Sequence, residues 1–551
     1  MSACIYYHPE AYSISGPKLM GRNAAGESFL RGFLQHSSKA ESLWVQVSEK
    51  QHFEHFALQA ANNGRKEHIT TISNSNLGLL ETAGSVYFPG PGLAEHAFKR
   101  SLYGDSLWSL CGITHTTSSA SAMDAIAELI TAPVQPWDAL ICTSTAVKKN
   151  VETVLQAHAD YLAARLGISR LVLPQLPVIP LGVHTNDFKY SDNQREASRK
   201  RLGVDSDTLV VLYVGRLSFH AKAHPLGMYK ALEIAANKTG KNVVLVECGW
   251  HANEPIKQAF ADAADYACPT VRVVTLDGRD SANRELAWSG ADVFCSLSDN
   301  IQETFGIVPL EAMAAGLPVV VSDWDGYKDT VRDGIDGFRI RTLAPQPGLG
   351  GDLAHRHALG IDTYDMYCGH SSSVVSVDIN PTAEAFEQLF LSTELRKKMG
   401  NAGQARAREL YDWKRIIRTY EELWAELSEI RLEGRQNSTD SSRSVWGARL
   451  DPTTAFANYP TSHLAPETML RLVAENTYEA RSQIDDLKRL MMVNYANYMF
   501  PRDSEIEIVL NNASKDFQTA ESLLSGIEQS RRAYVYRGLV WLLKIGVFEA
   551  L

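Results

Sequence analysis

Two glutamates with seven residues between them, Glu303 and Glu311, stand in the stretch Asp299–Lys328, DNIQETFGIVPLEAMAAGLPVVVSDWDGYK. Between them, Thr304-Phe305-Gly306 reads as a loop opening a helix, Ile307–Ala315 as the helix, and Gly316 as the residue that ends it. Pro318 then starts the strand PVVVS. A helix start at a strand's carboxyl end offers unpaired backbone N–H groups and a positive dipole end, which suit a pyrophosphate or a sugar hydroxyl. The backbone of Thr304, Phe305, Gly306 and Ile307 would line that seat, with Gly306 letting a ligand come close. At the helical rise, Glu311 lies about 12 Å beyond Glu303. Carboxylates only accept hydrogen bonds, so this separation suits two sets of hydroxyls, such as a sugar's and a ribose's. The spacing alone also fits an amphipathic helix carrying two surface glutamates.

Other segments carry compatible chemistry. In Leu212–His224, LYVGRLSFHAKAH, a strand runs into Gly215-Arg216, and Lys222 follows six residues later. Two cations at a strand end can neutralise a diphosphate, arginine as a fork and lysine as a point charge, or they can be a solvated basic loop. His115, in Ile113-Thr114-His115-Thr116, ends a predicted strand and faces a cleft if the sheet is built as expected; a lone histidine also serves structural roles. The stretch GPKLMGRNAAGESFLRG carries glycines at 16, 21 and 26. It is not a GxGxxG fingerprint, so a nicotinamide cofactor gains no support. Gly21 is the glycine best placed for a backbone contact; Lys18 and Arg22 either touch an anion or face solvent. Two Asp-x-Asp triplets, Asp205–Asp207 and Asp323–Asp325, read as turn residues rather than a metal site. No His/Cys cluster has zinc spacing, so no metal is expected, and there is neither a Walker A loop nor a G-x-S-x-G elbow.

These residues need strands and helices to position them. Cys4–Tyr7, Leu43–Val47, Ser109–His115, Ala139–Thr143 and Pro177–Pro180 read as strands, with helical spacing in Glu27–His36 and Ser121–Ile130. After a polar stretch, His184–Lys200, the alternation resumes with Leu209–Val214, Asn242–Glu247, Val271–Leu276, Val293–Ser296 and Pro318–Ser322, compact runs typical of buried parallel strands. The expected fold is α/β, two Rossmann-like lobes facing a cleft, since ligands of such sheets sit at the strands' carboxyl ends. The expected divisions are 1–185, 186–435, and a linker plus small helical domain over 436–551. Gln436–Ser444 reads as the linker, and Pro466–Tyr498, Phe517–Ile527 and Arg531–Leu551 as helical. Arg531–Lys544, basic and aromatic, either joins a core or dimer contact or lies on a membrane surface.

Composition bounds the function. The chain has 551 residues, 45% hydrophobic and 21% charged, with a net charge of −10. That balance argues against a generic nucleic-acid binder. Seven cysteines without a CxxC pair fit a reducing compartment. No basic-then-apolar start suggests a signal peptide, and no apolar run reaches the roughly 18 residues of a membrane span. A cytoplasmic protein, in peripheral contact with a membrane or not, is expected.

The run E-x-F-G-x-x-x-L-E-A-M-A-x-G-x-P-V-V resembles the Glu-x7-Glu signature of retaining GT-B glycosyltransferases of family 4, and the resemblance covers roughly residues 1–430. It implies transfer of a hexosyl group from a nucleotide-diphosphate sugar, with retention, without metal or cofactor, to a sugar, lipid-linked or protein acceptor that the residues do not identify. Carried over, Glu303 contacts donor-sugar hydroxyls, Glu311 the ribose, Arg216 and Lys222 the leaving diphosphate, and His115 the donor sugar. Gly21 lies in the N-terminal glycine loop near the phosphates. The match loosens at Lys222, one residue further from Arg216 than in the family, and at Thr116, where an aspartate is usual. VIPLGV at 178–183 and ELYDWKRIIRTYEELW at 409–424 resemble the end of the first lobe and the closing helix. Two other readings remain open: a GT-B-like nucleotide-sugar epimerase or phosphorylase, and an inactive glycosyltransferase-like assembly protein.

Overall fold

The computed structural model describes residues 3–13, 21–437 and 446–551. The chain forms two compact units, Met1–Trp446 and Gly447–Leu551.

In the first unit, the described residues build two six-stranded sheets, each parallel throughout. The first contains β1 (Cys4–Tyr6), β2 (Ser42–Gln46), β3 (His68–Ile72), β4 (Ser85–Tyr87), β5 (Ser109–Ile113) and β6 (Ala139–Ile141). Their order is β3-β2-β1-β4-β5-β6. The second contains β7 (Leu209–Val214), β8 (Val243–Gly249), β9 (Arg272–Asp277), β10 (Val293–Ser296), β11 (Val319–Ser322) and β12 (Gly337–Ile340). Its order, β12-β11-β10-β7-β8-β9, is the same topology repeated. Each order reverses direction once, between β1 and β4 and between β7 and β10, and the crevice beyond such a reversal is where doubly wound sheets bind ligands. Helices cover both faces, so β5, β8, β10 and β11 are buried along their whole length.

Several elements depart from the sequence expectation. Pro177–Pro180 is not a strand: this segment meets β6 and its continuation only through the single bridges Ala139–Gln175 and Cys142–Val178. The prolines at 174, 177 and 180 have no N–H to give a continuous ladder. β3, with the polar sequence HITTI, and the short β4 and β12 are additional to the predicted strands. The polar stretch after His184 contains a helix, Asp192–Leu202, started by a capping box between Ser191 and Gln194. Between β13 (Thr342–Leu343) and β14 (Ser376–Val377), an antiparallel pair, the chain inserts helices Gly351–Ala358 and Tyr364–Ser372.

A long helix, Trp413–Asn437, follows the second sheet in sequence but packs against Gly21–His36 of the first lobe. The contact is aromatic. Phe29, Phe33 and Tyr87 meet Trp413, Tyr420 and Trp424 in edge-on and tilted pairs, all buried. The Trp413 ring lies across Gly32 and Gly182, where a β-carbon would come within 2.7 and 2.5 Å of it. Its indole N–H donates to Ser28 Oγ at 2.7 Å. Gln436 and Asn437, expected in the linker, are the last residues of this helix. The rest of the expected linker lies outside the described residues.

The second unit adds a sheet to the expected helices. β15 (Met469–Leu472), β16 (Gln518–Thr519) and β17 (Phe548–Ala550) are antiparallel in the order β16-β15-β17. Met469, read as helical, is in β15; Leu470 and Leu472 are buried while Arg471 is exposed, a period of two hidden in a short segment. Helices Thr477–Lys488, Asp503–Asn511 and Arg532–Lys544 complete the core. Val535, Leu539 and Leu542 of the last helix are buried in that core. Arg531 and Arg532 pair with Glu505 and Glu521 within the unit. Among the described residues no helix is long and apolar enough to cross a membrane.

Replacing the buried Trp413 removes a large aromatic and its hydrogen bond. Trp413→Ala is expected to destabilise the protein by about 3–5 kcal/mol. Urea unfolding of the full chain, wild type against variant, measures it; an unchanged midpoint would show that the long helix does not hold the first lobe.

Candidate active site

The reversal between β7 and β10 places the loops after both strands side by side. Arg216 follows β7 directly. Its Nη2 donates to the Gln302 side chain at 2.9 Å and to the Ala221 carbonyl at 2.8 Å. Lys222, on the same loop, is 2.5 Å from Glu303 Oε2. The two cations are therefore fixed to neighbouring residues of the loop that leads into the helix Ile307–Ala314, which ends one residue before the predicted Ala315. The extra residue between Arg216 and Lys222 does not pull the lysine away from this loop.

Burial works to raise the Glu303 carboxyl, but the Lys222 ammonium and the amides of Phe305 and Thr304 outweigh it and hold the group below its ordinary value. Glu303 is thus ionised and paired. Lysine has three donors, so Lys222 can keep this partner and reach an incoming anion as well.

The helix start has no side-chain cap. Ile307 and Val308 have N–H groups with no intrahelical partner, and Pro309 has none to offer. Gly306, the residue before the helix, has φ +80. Its glycine requirement has a cause beyond the one expected. A β-carbon there would come within 1.9 Å of the Tyr327 ring, so packing against Tyr327 by itself requires glycine at this position. The Tyr327 hydroxyl is 3.0 Å from Ser296 Oγ at the end of β10. Phe305 is buried against this same core.

Glu311 lies on the helix, half-buried, and its carboxyl has no hydrogen bond among the described residues. Burial raises its pKa to about 7; Arg284 opposes the shift and Asp187 reinforces it. Arg284 itself donates to the carbonyls of Gly278 and Arg279, at 2.8 and 3.1 Å.

The first lobe supplies the facing wall. His115 is half-buried at the end of β5, and its carbonyl accepts from Thr304 Oγ1 at 3.2 Å. Ser144, which caps the helix Thr145–Leu166, has its hydroxyl 2.9 Å from the Thr304 carbonyl and 2.7 Å from Asp325 Oδ1. The Thr145 amide donates to Asp329 at 2.7 Å. The lobes therefore touch directly beside the helix start.

Arg216, Lys222, Glu303, Thr304, Phe305, Gly306, Ile307 and His115 thus belong to one locality, with Glu311 one helical face further on. Gly21 begins the helix Gly21–His36 and is exposed, with open space around it. Among the described residues no hydrogen bond links it to the strand-end residues. Lys18 lies outside the described residues, as does the Arg22 side chain. Asp205 accepts from the Asp207 and Thr208 amides, as a turn residue does. Asp323 pairs with Arg339, and burial raises Asp325 to about 7.

Gln302, Tyr327, Ser144 and Arg284 were not predicted as members of this site. Gln302 and Tyr327 flank the Glu-x7-Glu run without matching a motif, and Ser144 comes from the other lobe. Arg284, within the helix Ser281–Gly290, matched no motif either.

Residues 194–345 match the family described as Glycosyl transferases group 1. That segment holds Arg216, Lys222, Glu303 and Glu311. D-inositol 3-phosphate glycosyltransferase of Geodermatophilus obscurus is 33% identical over 181 residues, 30% of this chain and 37% of the relative. Alpha-monoglucosyldiacylglycerol synthase of Acholeplasma laidlawii is 27% identical over 167 residues, 30% of this chain and 40% of the relative. The chain thus spans well under half the length of these curated relatives. The crystal structure of Anabaena Alr3699/HepE in complex with UDP aligns with a TM-score of 0.50 at 15% identity, over 77% of this chain and 100% of that one. The fold is GT-B. GT-B proteins place a cleft between two such sheets.

Glu311 gives a pH test. Its carboxyl is ordinarily near 4.5 and stands near 7 in the folded chain. A group raised in this way contributes stability that is complete below the lower value and lost as pH rises through the higher one. Glu311→Gln is expected to lose less stability than wild type between about pH 4.5 and 7. Thermal melting over a pH series measures this; parallel curves for the two proteins would contradict the assignment.

Proposed function

We propose that this chain is a retaining glycosyltransferase that moves a hexosyl group from a nucleotide-diphosphate sugar to an acceptor, without a metal. The observation that carries the reading is the convergence of Arg216 and Lys222, through Gln302 and Glu303, on the loop that leads into the uncapped helix start at Gly306. It is supported by the match of residues 194–345 to a glycosyltransferase family. One curated relative is named for inositol 3-phosphate and the other for the glycolipid it makes, so no single acceptor is proposed.

In this reading the diphosphate leaves the anomeric carbon and negative charge grows on the leaving oxygen. The Arg216 fork, the Lys222 ammonium and the Ile307 and Val308 amides stabilise it, and each such donor contributes on the order of 3 kcal/mol. Glu303 holds donor-sugar hydroxyls, Glu311 the ribose, and His115 approaches the sugar from the other lobe. The departing phosphate takes the acceptor's proton on the same face, so no protein base is assigned. Closure of the lobes over Thr304 keeps water from the donor.

A thermal-shift screen of nucleotide sugars identifies the donor, since a ligand that binds only the folded state raises its apparent stability. With that donor, Arg216→Ala is expected to lower kcat by about 10²–10³-fold while the melting temperature holds. NMR of the product reads the anomer, and added chelator is expected to leave the rate unchanged. Near-normal transfer by the variant removes Arg216 from the reaction. Conversion of donor without acceptor would replace transfer by epimerisation.

A further inference from the structure

The helical hairpin between β13 and β14 is absent from every motif that the sequence reading used, yet it reaches the cleft. Its base is closed by the antiparallel pair Thr342–Val377 and Leu343–Ser376. Its second helix, Tyr364–Ser372, is capped by Thr363 and lies on the loop that carries Lys222: a β-carbon on Gly369 would come within 2.9 Å of His220 Cβ. Cys368 on this helix is fully buried. At the helix start the Tyr364 hydroxyl meets both lobes. It is 2.9 Å from Ser118 Oγ and 3.4 Å from Thr116 Oγ1, just beyond His115 in the first lobe. It is also 3.4 Å from Gln302 Nε2 in the second. The other end of that amide, Gln302 Oε1, accepts from Arg216. An unbroken chain of hydrogen bonds therefore runs from the first lobe through Tyr364 and Gln302 to the guanidinium.

We propose that the hairpin Gly351–Ser372 is a lid on the cleft, and that Tyr364 is a positioning residue whose hydroxyl couples lobe closure to the orientation of Arg216. The role given to Arg216 rests on the glycosyltransferase reading; the coupling itself rests on the hydrogen bonds. An amide is a suitable relay. With its carbonyl end fixed by the arginine, its N–H end must face away, toward an acceptor such as the tyrosine oxygen. When the lobes part, the Ser118 and Thr116 bonds are lost, and Tyr364, without its first-lobe anchor, no longer holds the Gln302 amide in one plane. The arginine fork is then held only by the Ala221 carbonyl and a loose amide. A substrate position held to within fractions of an ångström is what such a fork contributes to phosphate chemistry.

Tyr364→Phe tests this, because it keeps the ring and its packing and removes only the hydroxyl. Two readouts are needed. The first is lobe closure, measured without any ligand. The seven native cysteines are all buried, so spin labels on Lys149→Cys, on an exposed face of the first lobe, and Lys230→Cys, on an exposed face of the second, report one interlobe distance. The wild type is expected to give a single narrow distance and Tyr364→Phe a broader, longer distribution. The second is kinetic. Tyr364→Phe is expected to lower kcat about tenfold, the scale of one lost hydrogen bond, with the donor KM within about twofold. Ser118→Ala should reproduce part of that loss, and the double variant should be no worse than Tyr364→Phe alone, as expected for two ends of one bond. An unchanged kcat in Tyr364→Phe, additive losses in the double variant, or identical distance distributions would each overturn the proposal. A wild type that closes, opens on Tyr364→Phe, and turns over no nucleotide sugar would leave the lid standing and remove the transferase reading instead.

Discussion

The site depends on the ring of Tyr327 beneath Gly306. That ring occupies the volume a side chain at 306 would need, and its hydroxyl is tied to the end of β10 through Ser296. The left-handed turn before the helix is thereby fixed in direction, and with it the direction in which the first amides of Ile307–Ala314 point. Everything charged nearby is arranged around that fixed direction. Lys222 is already neutralised by Glu303 before any ligand arrives, so an incoming diphosphate meets positioned donors and not two mobile side chains.

Such an arrangement has a cost in carboxyl groups. Glu247, Asp299, Glu311 and Asp325 all lie in the second lobe, and burial raises each to about 7. Three have compensating partners: Tyr229 donates to Glu247, the His224 amide to Asp299, and the Ser144 hydroxyl to Asp325. Asp325 combines its shift with a left-handed φ of 38, unusual for any residue with a side chain. Strain and perturbed acidity are common where binding is favoured over stability.

Much of this was legible from residue order alone. The compact β-branched runs of β7, β8, β10 and β11 identify buried parallel strands because both faces of each are covered. The Glu303–Glu311 run is legible because its spacing, glycine and following strand occur together. What was not legible depends on tertiary contact. β3 alternates weakly because its residues sit at a sheet edge, and β15 is too short to show a period. Pro177–Pro180 looks like a strand until its missing donors are counted. The packing of Tyr327 against Gly306 was not legible, because Tyr327, twenty-one residues later in sequence, gives no local sign of that contact. Ser144 and Tyr364 reach the site from other parts of the chain, and no local pattern encodes that meeting.

The aromatic seam between Gly21–His36 and Trp413–Asn437 has a consequence for synthesis. Phe29, Phe33 and Tyr87 leave the ribosome early, whereas Trp413, Tyr420 and Trp424 follow only after nearly the whole second sheet has been made. At ordinary elongation rates the gap is roughly 20–80 s. Throughout that time the nascent first lobe presents an uncovered patch of rings, the kind of surface that chaperones bind and that associates with its neighbours on a polysome. The last long helix of the unit thus acts as a late-arriving seal, and the N-terminal half reaches its finished form only when translation of the unit is nearly done.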